Sequence, residues 1–220
     1  MAKKFMKEAF DKNKNDFNFG PWQSECSKEE FDYINKRKFD SIIDKNLGHE
    51  GGYANNKNDR GGETNWGITK PFMEEFKYAL PGGKSVPIKD LSVDDAKKMY
   101  KAMWDRYNLG YIRDKNVAYT IFDYMINTYH HTAAKRVQHI LNTQGASLKV
   151  DGQIGKKSLE AIHNSDTKWL IDEILKNRQY HYRKQVKEDS NQHVFYAGWM
   201  NRLNKIAESV GSDLYFSPHF

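Results

Sequence analysis

The spacing of hydrophobic residues predicts a mainly helical protein. From Phe39 onward, Phe39, Ile42, Ile43 and Leu47 recur at intervals that place them on one face of a helix. Two glycines, at 51 and 52, follow this segment, and glycine commonly ends helices. The same kind of spacing predicts five later helices, around 116–129, 132–143, 155–163, 167–187 and 195–210.

A further helix is predicted to begin near Ser92. Ser92 and Asp95 resemble a capping box in which Asp replaces the usual Glu. Because Trp104 falls on the apolar stripe of this helix, we expect it in the core and not against a ligand. The full buried face would comprise Val93, Ala96, Met99, Tyr100, Met103, Trp104 and Tyr107.

Between these helices the pattern changes. The stretch from Tyr53 to Thr69 is rich in Asn, Asp and Gly, which predicts turns or a short hairpin. Within it Trp66 and Ile68 alternate as they would in a strand. The chain is therefore expected to be mainly α, with one small glycine-rich β element.

Composition narrows the class of partner. The 220 residues carry a formal net charge of +6, which favours anionic partners such as nucleic acid, a membrane surface or an acidic wall polymer. The lysines are scattered, which argues against nucleic acid. No apolar stretch approaches the roughly 18 residues of a membrane span, so stable membrane insertion is not expected.

Two further features concern the compartment. Cys26 is the only cysteine, so neither an internal disulfide nor a cysteine-based metal cluster can form. The first residues are basic but are not followed by an apolar segment, so no signal peptide is expected. Synthesis in a reducing cytoplasm follows as the default.

Candidate chemistry centres on Glu50 and Asp59, which are 59 − 50 = 9 positions apart. Glycosidic cleavage needs an acid for the departing oxygen and a carboxylate that stabilises charge or directs water. Glu50 follows an apolar helix, and partial desolvation there would raise its pKa, as an acid requires. Asp59 lies in a polar loop that can keep it ionised, and Thr64 or Asn65 could hold the attacking water.

Ordinary roles are also open to these residues. Glu50 could be a solvated helix end, Asp59 a turn residue, and Thr64 a strand or cap residue. A calcium loop starting at Asn55 or Asn56 fails, because its twelfth position would be Trp66 or Gly67 where a glutamate is required. Spacing alone does not decide between these roles and catalysis.

The motifs Glu50-Gly-Gly-Tyr, Asp59-x-Gly-Gly-x-Thr-Asn-x-Gly-Ile-Thr and Met103-Trp104-Asp105 resemble glycoside hydrolase family 108, a family of N-acetylmuramidases and phage endolysins. The resemblance implies that Glu50 is the general acid. The order Glu–Asp–Thr also resembles phage-type lysozymes, which implies that Asp59 and Thr64 position water. Arg60 departs from the family, which usually has proline there; the change leaves both carboxylates in place.

The resemblance continues downstream and covers residues 38–205. The segments 122–127, 150–155 and 195–202, with Gln138, resemble a type 3 peptidoglycan-binding region. The resemblance implies a lysozyme-like α+β fold, a helical bundle with a small β-hairpin beside the catalytic loop. We expect an N-terminal extension of unknown role over 1–36, a catalytic lobe over 37–115 and a helical lobe over 116–220 that completes the cleft.

Several residues are candidates for contact with substrate. Tyr53 and Trp66 could stack on sugar rings or fill the core, and Asn65 could contact substrate beside Thr64. Asn127, one helical turn after Asp123, is a candidate for an acetamido or peptide contact. Residues 151–155 read as a tight turn with a structural role. His130, His131 and His139 are expected at solvated helix positions, and neither a metal nor an organic cofactor is expected.

The sequence thus predicts a muramidase that cleaves the β-1,4 bond between N-acetylmuramic acid and N-acetylglucosamine of peptidoglycan glycan strands. We expect a monomeric phage endolysin, held in the host cytoplasm before its release to the periplasm or cell wall, or carried in a virion. The alternatives are a non-catalytic wall-binding module on the same scaffold and a chitinase.

Overall fold

The computed structural model describes residues 28–47, 52–55 and 62–220, and in them the chain forms eight α-helices and one two-stranded sheet. The elements are α1 (Lys28–Leu47), β1 (Thr64–Asn65), β2 (Ile68–Thr69), α2 (Lys70–Phe76), α3 (Val93–Arg106), α4 (Lys115–Asn127), α5 (His130–Thr143), α6 (Lys156–Asn164), α7 (Thr167–Glu188) and α8 (His193–Val210). Short 3₁₀ turns occupy Lys77–Ala79, Pro81–Gly83, Ile88–Asp90, Leu109–Tyr111 and Ser190–Gln192. The mainly α fold with a small hairpin is confirmed.

Helix α1 starts earlier than its hydrophobic spacing predicts. It begins at Lys28, whereas the regular apolar pattern begins only at Phe39. Polar contacts hold the first half of the helix. Asn35 accepts a hydrogen bond from the indole Nε1 of Trp104 at 2.7 Å, and the buried Lys38 donates to two backbone carbonyls near residue 111. An apolar pattern cannot reveal such contacts, because their partners lie about seventy residues away along the chain.

The predicted start and buried face of α3 are confirmed. The Ser92 hydroxyl accepts from the backbone N–H of Asp95 at 3.1 Å. The same hydroxyl also donates to the Asp95 carboxylate at 2.9 Å, so it makes two contacts with Asp95. Trp104 is completely buried and meets Phe122 edge to face, with ring centroids 5.4 Å apart. Val93 of the predicted face is half-buried. The other members are all buried: Ala96, Met99, Tyr100, Met103, Trp104 and Tyr107.

The hairpin is present, but Trp66 is not one of its strand residues. Thr64 pairs with Thr69 and Asn65 with Ile68, which leaves Trp66 and Gly67 as the two turn residues. Both have positive φ, at 53° and 74°, as a two-residue turn of this hand requires. The prediction that Trp66 alternates with Ile68 in a strand is therefore wrong, because Trp66 is the first of the two turn residues.

Helix α4 forms the centre of the core. Its residues from Val117 to Met125 are all buried, so the helix is covered on every side. Within this run Asp123 is the one charged residue, and its side chain is 1% exposed. A carboxylate in such a place must be paired, since burying an isolated charge is very costly.

Two arginines supply the pairing. Arg178 of α7 donates to Asp123 from Nη1 at 2.7 Å, and Arg202 of α8 donates from Nη2 at 2.7 Å. Burial by itself would raise the pKa of Asp123, but the charges and hydrogen bonds of Arg202 and Arg178 outweigh it and lower the pKa. Arg202 also donates to the amide oxygen of Asn46 at 3.3 Å, near the end of α1. We call this set, Asp123, Arg178, Arg202 and Asn46, the Asp123 network.

The turn at residues 151–155 has the structural role that its sequence predicts. The Gln138 amide accepts from the backbone N–H of Gly152 at 2.8 Å and donates to Asp151 and to the Gln153 carbonyl, each at 2.9 Å. Gly152 has a φ of 76°, and a Cβ there would lie 2.5 Å from the ring of His131. Only glycine fits this position.

In the described part of the chain, no helix is long and apolar enough to cross a membrane.

Replacing Asp123 by Asn should destabilise the fold strongly. The change removes the negative charge that pairs with two guanidiniums, of which that of Arg178 is fully buried. Breaking such a pair from one side costs about 3–5 kcal/mol. Urea denaturation of Asp123→Asn measures the loss. Asp40→Asn is the matched control, because the exposed Lys36–Asp40 pair should contribute only about 0–1 kcal/mol. Equal effects in the two variants would contradict the prediction.

The stability should also depend on the protonation of His163. Burial, and then the charge of Arg113, lower the pKa of His163 to about 4, although its contact with the Tyr111 carbonyl opposes the shift. An unfolded histidine titrates near 6.5, so between these values the unfolded chain binds more protons. The free energy of unfolding therefore falls as the pH is lowered from 6.5 towards 4.

His163→Gln should reduce this acid sensitivity, since a Gln amide can still donate to Tyr111 but does not titrate. Urea denaturation at pH 7 and pH 4 should show a smaller loss of stability for the variant, by at most about 3 kcal/mol. The exposed His139→Gln is the control. Identical pH dependence of wild type and His163→Gln would refute the assignment.

Candidate active site

A cleft of about 840 Å³ lies between the β-hairpin and the helices of the second half of the chain. The hairpin side contributes Thr64, Gly67 and Thr69. Helices α4, α5, α7 and α8 contribute the opposite side, with a mixture of aromatic, amide and basic residues. Among the latter are Tyr124, Asn127, Arg136, Lys184, Gln185, Phe195 and Trp199. Both halves of the chain are needed to form it.

Thr64 lies in this cleft at the base of the hairpin. Its backbone exchanges two hydrogen bonds with Ala54, at 2.9 and 2.8 Å. This bridge brings together the two ends of the stretch that carries Asp59 in the sequence. The predicted site residue Thr64 is therefore held at the cleft by backbone pairing on both of its sides, with Ala54 and with Thr69.

Asn127 lines the same cleft from the end of α4. Its amide donates to the backbone carbonyl of Asp123 at 2.8 Å and approaches the Asp123 carboxylate at 3.4 Å. These contacts use donors and leave the amide oxygen of Asn127 available in the half-buried side chain. The structure thus brings Thr64 and Asn127, which are 63 residues apart (127 − 64 = 63), into one cleft. Their contact with substrate stays a prediction.

Asn65 and Trp66 hold the hairpin against the segment before α3. The buried Asn65 donates from Nδ2 towards the carbonyls of Ile88, Lys89 and Leu91, at 3.1 to 3.3 Å. The Trp66 indole also donates to Leu91, at 3.1 Å. Neither side chain lines the cleft, and substrate contact by either stays a prediction.

Of the three remaining predicted site residues, Tyr53 alone lies in the described part of the chain. Tyr53 is half exposed and is not among the residues that line the cleft. Glu50 and Asp59 lie outside the described residues, so their predicted roles as acid and water-directing carboxylate stay predictions. Helix α1 ends at Leu47, which precedes Glu50 by three positions in the sequence (50 − 47 = 3).

The cleft floor has a positive electrostatic character. Arg136 donates to the phenol oxygen of Tyr124 at 2.9 Å, and that hydroxyl donates to Asn177 at 3.0 Å. Burial raises the pKa of Tyr124 to about 12, so the phenol stays protonated at neutral pH. Burial, together with the charges of Arg136 and Lys184, lowers the pKa of His181 to about 4. The cations that line the described cleft are therefore Arg136, Arg178 and Lys184, and His181 is neutral at neutral pH.

The carboxylates of the described cleft do not suit general acid chemistry. Asp123, beneath Asn127, is held ionised by two arginines and cannot supply a proton. Glu188, at the far end of α7, is exposed and lies 3.7 Å from Lys184. Neither carboxylate is both buried and free of a cationic partner, as a general acid would need to be.

Sequence reasoning missed the partners of Asp123 and misplaced one histidine. The signal for the network was an Asp in the middle of an otherwise apolar run, which demands a buried cation. His130, expected at a solvated position, is buried, and its Nε2 lies 3.1 Å from the Glu75 carboxylate. That expectation is wrong because α2 and Tyr107 pack over the start of α5. His139 is exposed, as expected.

The helical fold, the hairpin and the cleft beside it place the chain in the lysozyme-like class. Comparison with known families agrees. Residues 43–128 match the family "Glycosyl hydrolase 108", and residues 132–204 match "Predicted Peptidoglycan domain". The chain thus carries a region that matches glycoside hydrolase family 108, followed by a region that matches the peptidoglycan-binding family. It is accordingly a glycoside hydrolase, and the two matches together support a peptidoglycan hydrolase.

Solved structures support the fold. The chain is similar to the structure of Brucella abortus SagA, with a TM-score of 0.65 and 23% sequence identity. The match covers 80% of this chain and 94% of that one. At this identity the similarity concerns the fold. No curated protein matches the sequence.

Replacing Asn65 by Asp should loosen the hairpin. The change removes the Nδ2 donor and turns a charged oxygen towards the carbonyls of Ile88 and Leu91. An unsatisfied buried polar group costs about 1–3 kcal/mol, and a charged one costs more. Hydrogen exchange of the Thr64 and Ile68 amides should become markedly faster. Asn55→Asp, at an exposed position beside the same bridge, is the control and should leave exchange unchanged. Unchanged exchange in Asn65→Asp would show that the three carbonyl contacts do not hold the hairpin.

Proposed function

We propose that this protein is a muramidase that cleaves the β-1,4 bond between N-acetylmuramic acid and N-acetylglucosamine in peptidoglycan. In this proposal Glu50 donates a proton to the departing glycosidic oxygen. Asp59, with the Thr64 hydroxyl, directs water to the sugar carbon. This division of labour follows the requirement for one protonated and one ionised carboxyl group.

One observation carries the proposal. The match to the hydrolase family spans residues 43–128 and so includes Glu50, Asp59 and Thr64, and Thr64 lines the cleft. The Ala54–Thr64 bridge joins backbone positions on either side of Asp59 in the sequence. In the described part of the chain, the cleft-lining Glu188 is exposed, and Asp123 beneath the cleft is held ionised by two arginines, which directs attention to Glu50 as the acid.

The proposal extends to biological role. The resemblance to glycoside hydrolase family 108 includes phage endolysins, and we assign this chain to that group. It would accumulate in the host cytoplasm and reach the wall during lysis, or travel in a virion, and would act there as a monomer on glycan strands. The formal charge of +6 suits approach to an anionic wall.

Mass spectrometry of digested peptidoglycan tests the reaction. Wild-type protein should release fragments that end in reducing N-acetylmuramic acid. Glu50→Gln should reduce the rate by at least about a hundredfold while the fold persists, because the amide has no proton of suitable acidity to give. Glu63→Gln is the matched control in the neighbouring loop and should keep wild-type activity.

Other outcomes would separate the alternatives. Fragments that end in reducing N-acetylglucosamine would show that the protein is a glucosaminidase and not a muramidase. Faster cleavage of chitin oligomers than of wall fragments would favour a chitinase. Binding to purified wall without any new reducing end would indicate a non-catalytic module. Full activity in a folded Glu50→Gln protein would remove Glu50 from the mechanism.

A further inference from the structure

A stack of three aromatic rings lines the cleft on the side of the peptidoglycan-binding region. The rings of Tyr182 and Trp199 lie 4.8 Å apart with an angle of 19° between their planes. Phe195 continues the stack, 6.0 Å from Trp199 at 27°. Phe195 and Trp199 are four residues apart on α8, so they share one helical face. All three rings line the same cleft as Thr64 and Asn127.

The inner ring of the stack is anchored. Tyr182 is buried, and its hydroxyl lies 3.4 Å from Nη2 of Arg178, a member of the Asp123 network. Trp199, the middle ring, and Phe195, the outer ring, are only half buried. A core cluster would be covered on all sides, whereas this one ends at the cleft with apolar ring surface that a ligand can cover.

Cations border the same surface. Arg136 and Lys184 line the cleft with the stack, and the ion pairs of the described residues leave Arg136 without a carboxylate partner. Among the described residues, the ion-pair partner of Lys184 is the exposed Glu188, at 3.7 Å.

This combination defines a chemical class of ligand. The apolar C–H face of a pyranose ring can cover the outer aromatic rings, and a carboxylate can pair with the nearby cations. In peptidoglycan only the muramyl unit joins the two features, because its lactyl group carries the peptide stem. A neutral N-acetylglucosamine unit offers the ring face but no anion.

We infer that Phe195 and Trp199 form a stacking platform for a peptide-bearing N-acetylmuramyl unit, with Lys184 and Arg136 facing the carboxylates of its stem. The inference rests on the proposed function and deepens it, because it names the part of the wall polymer that the second half of the cleft recognises. A cleft with this platform binds strands that carry peptide stems more tightly than it binds chitin.

Binding of muramyl dipeptide to the full chain tests the platform separately from catalysis. This ligand has no bond between sugars and cannot be cleaved by a muramidase. NMR titration should shift the indole N–H signal of Trp199. Phe195→Ala should weaken binding of both muramyl dipeptide and N-acetylglucosamine by about three- to tenfold. Val194→Ala, the exposed neighbour outside the cleft, should bind as the wild type does.

Two lysine variants test the charged part of the inference. Lys184→Gln should weaken binding of muramyl dipeptide by about two- to fivefold but leave N-acetylglucosamine unaffected. Lys187→Gln, on the same helix and outside the cleft, should change neither. If Phe195→Ala unfolds, Phe195→Leu keeps apolar bulk without a flat ring and should show the same loss.

Two results would overturn the inference: unchanged binding in a folded Phe195→Ala or Phe195→Leu protein, or no shift of the Trp199 signal at saturating ligand. Failure of the proposed function would look different. A wild type that binds muramyl dipeptide in this pattern but releases no reducing ends would retain the platform and lose the muramidase. A wild type that hydrolyses wall and is indifferent to these substitutions would retain the muramidase and lose the platform.

Discussion

The buried Asp123 carboxylate is the interaction on which the rest of this structure depends. It joins α4, α7 and α8 through Arg178 and Arg202, and Arg202 continues to Asn46 near the end of α1. A buried ion set stabilises a fold only when its members satisfy one another, and removal of one leaves an unpaired charge. The network is nearly saturated: the Nε of Arg178 is its one buried side-chain atom without a hydrogen-bond partner in the described chain.

The same network determines the geometry of the cleft. Asn127 hydrogen-bonds to Asp123, and Tyr182, the inner ring of the aromatic stack, lies against Arg178. One wall of the cleft is therefore tied to the core by charged and polar contacts. The hairpin wall is tied separately, through Asn65 and Trp66 to the Leu91 carbonyl. The two walls are thus held by separate sets of contacts, and the aromatic wall draws residues from both matched regions of the chain.

Much of the fold was predictable because it depends on local rules. Helices α3 to α8 follow from apolar spacing and capping residues, and their observed ends differ from the predicted ones by a few residues. The hairpin follows from its glycine-rich composition. The early start of α1, the turn conformation of Trp66 and the burial of His130 did not follow. Each depends on partners that are distant in sequence and contribute polar or shape-specific contacts, which periodicity does not record.

The sequence by itself determined the helical class, the hairpin and the motif around Glu50, Asp59 and Thr64 that indicates a glycoside hydrolase. These properties depend on which residues are neighbours in the sequence and on short spacings between residues. Only the tertiary structure decided that Thr64 and Asn127 share a cleft, that Asn65 holds a loop, and that Phe195 and Trp199 face the same space. Those relations arise because the chain must pair a buried carboxylate and cover an apolar core, and both demands join residues that are far apart along the chain.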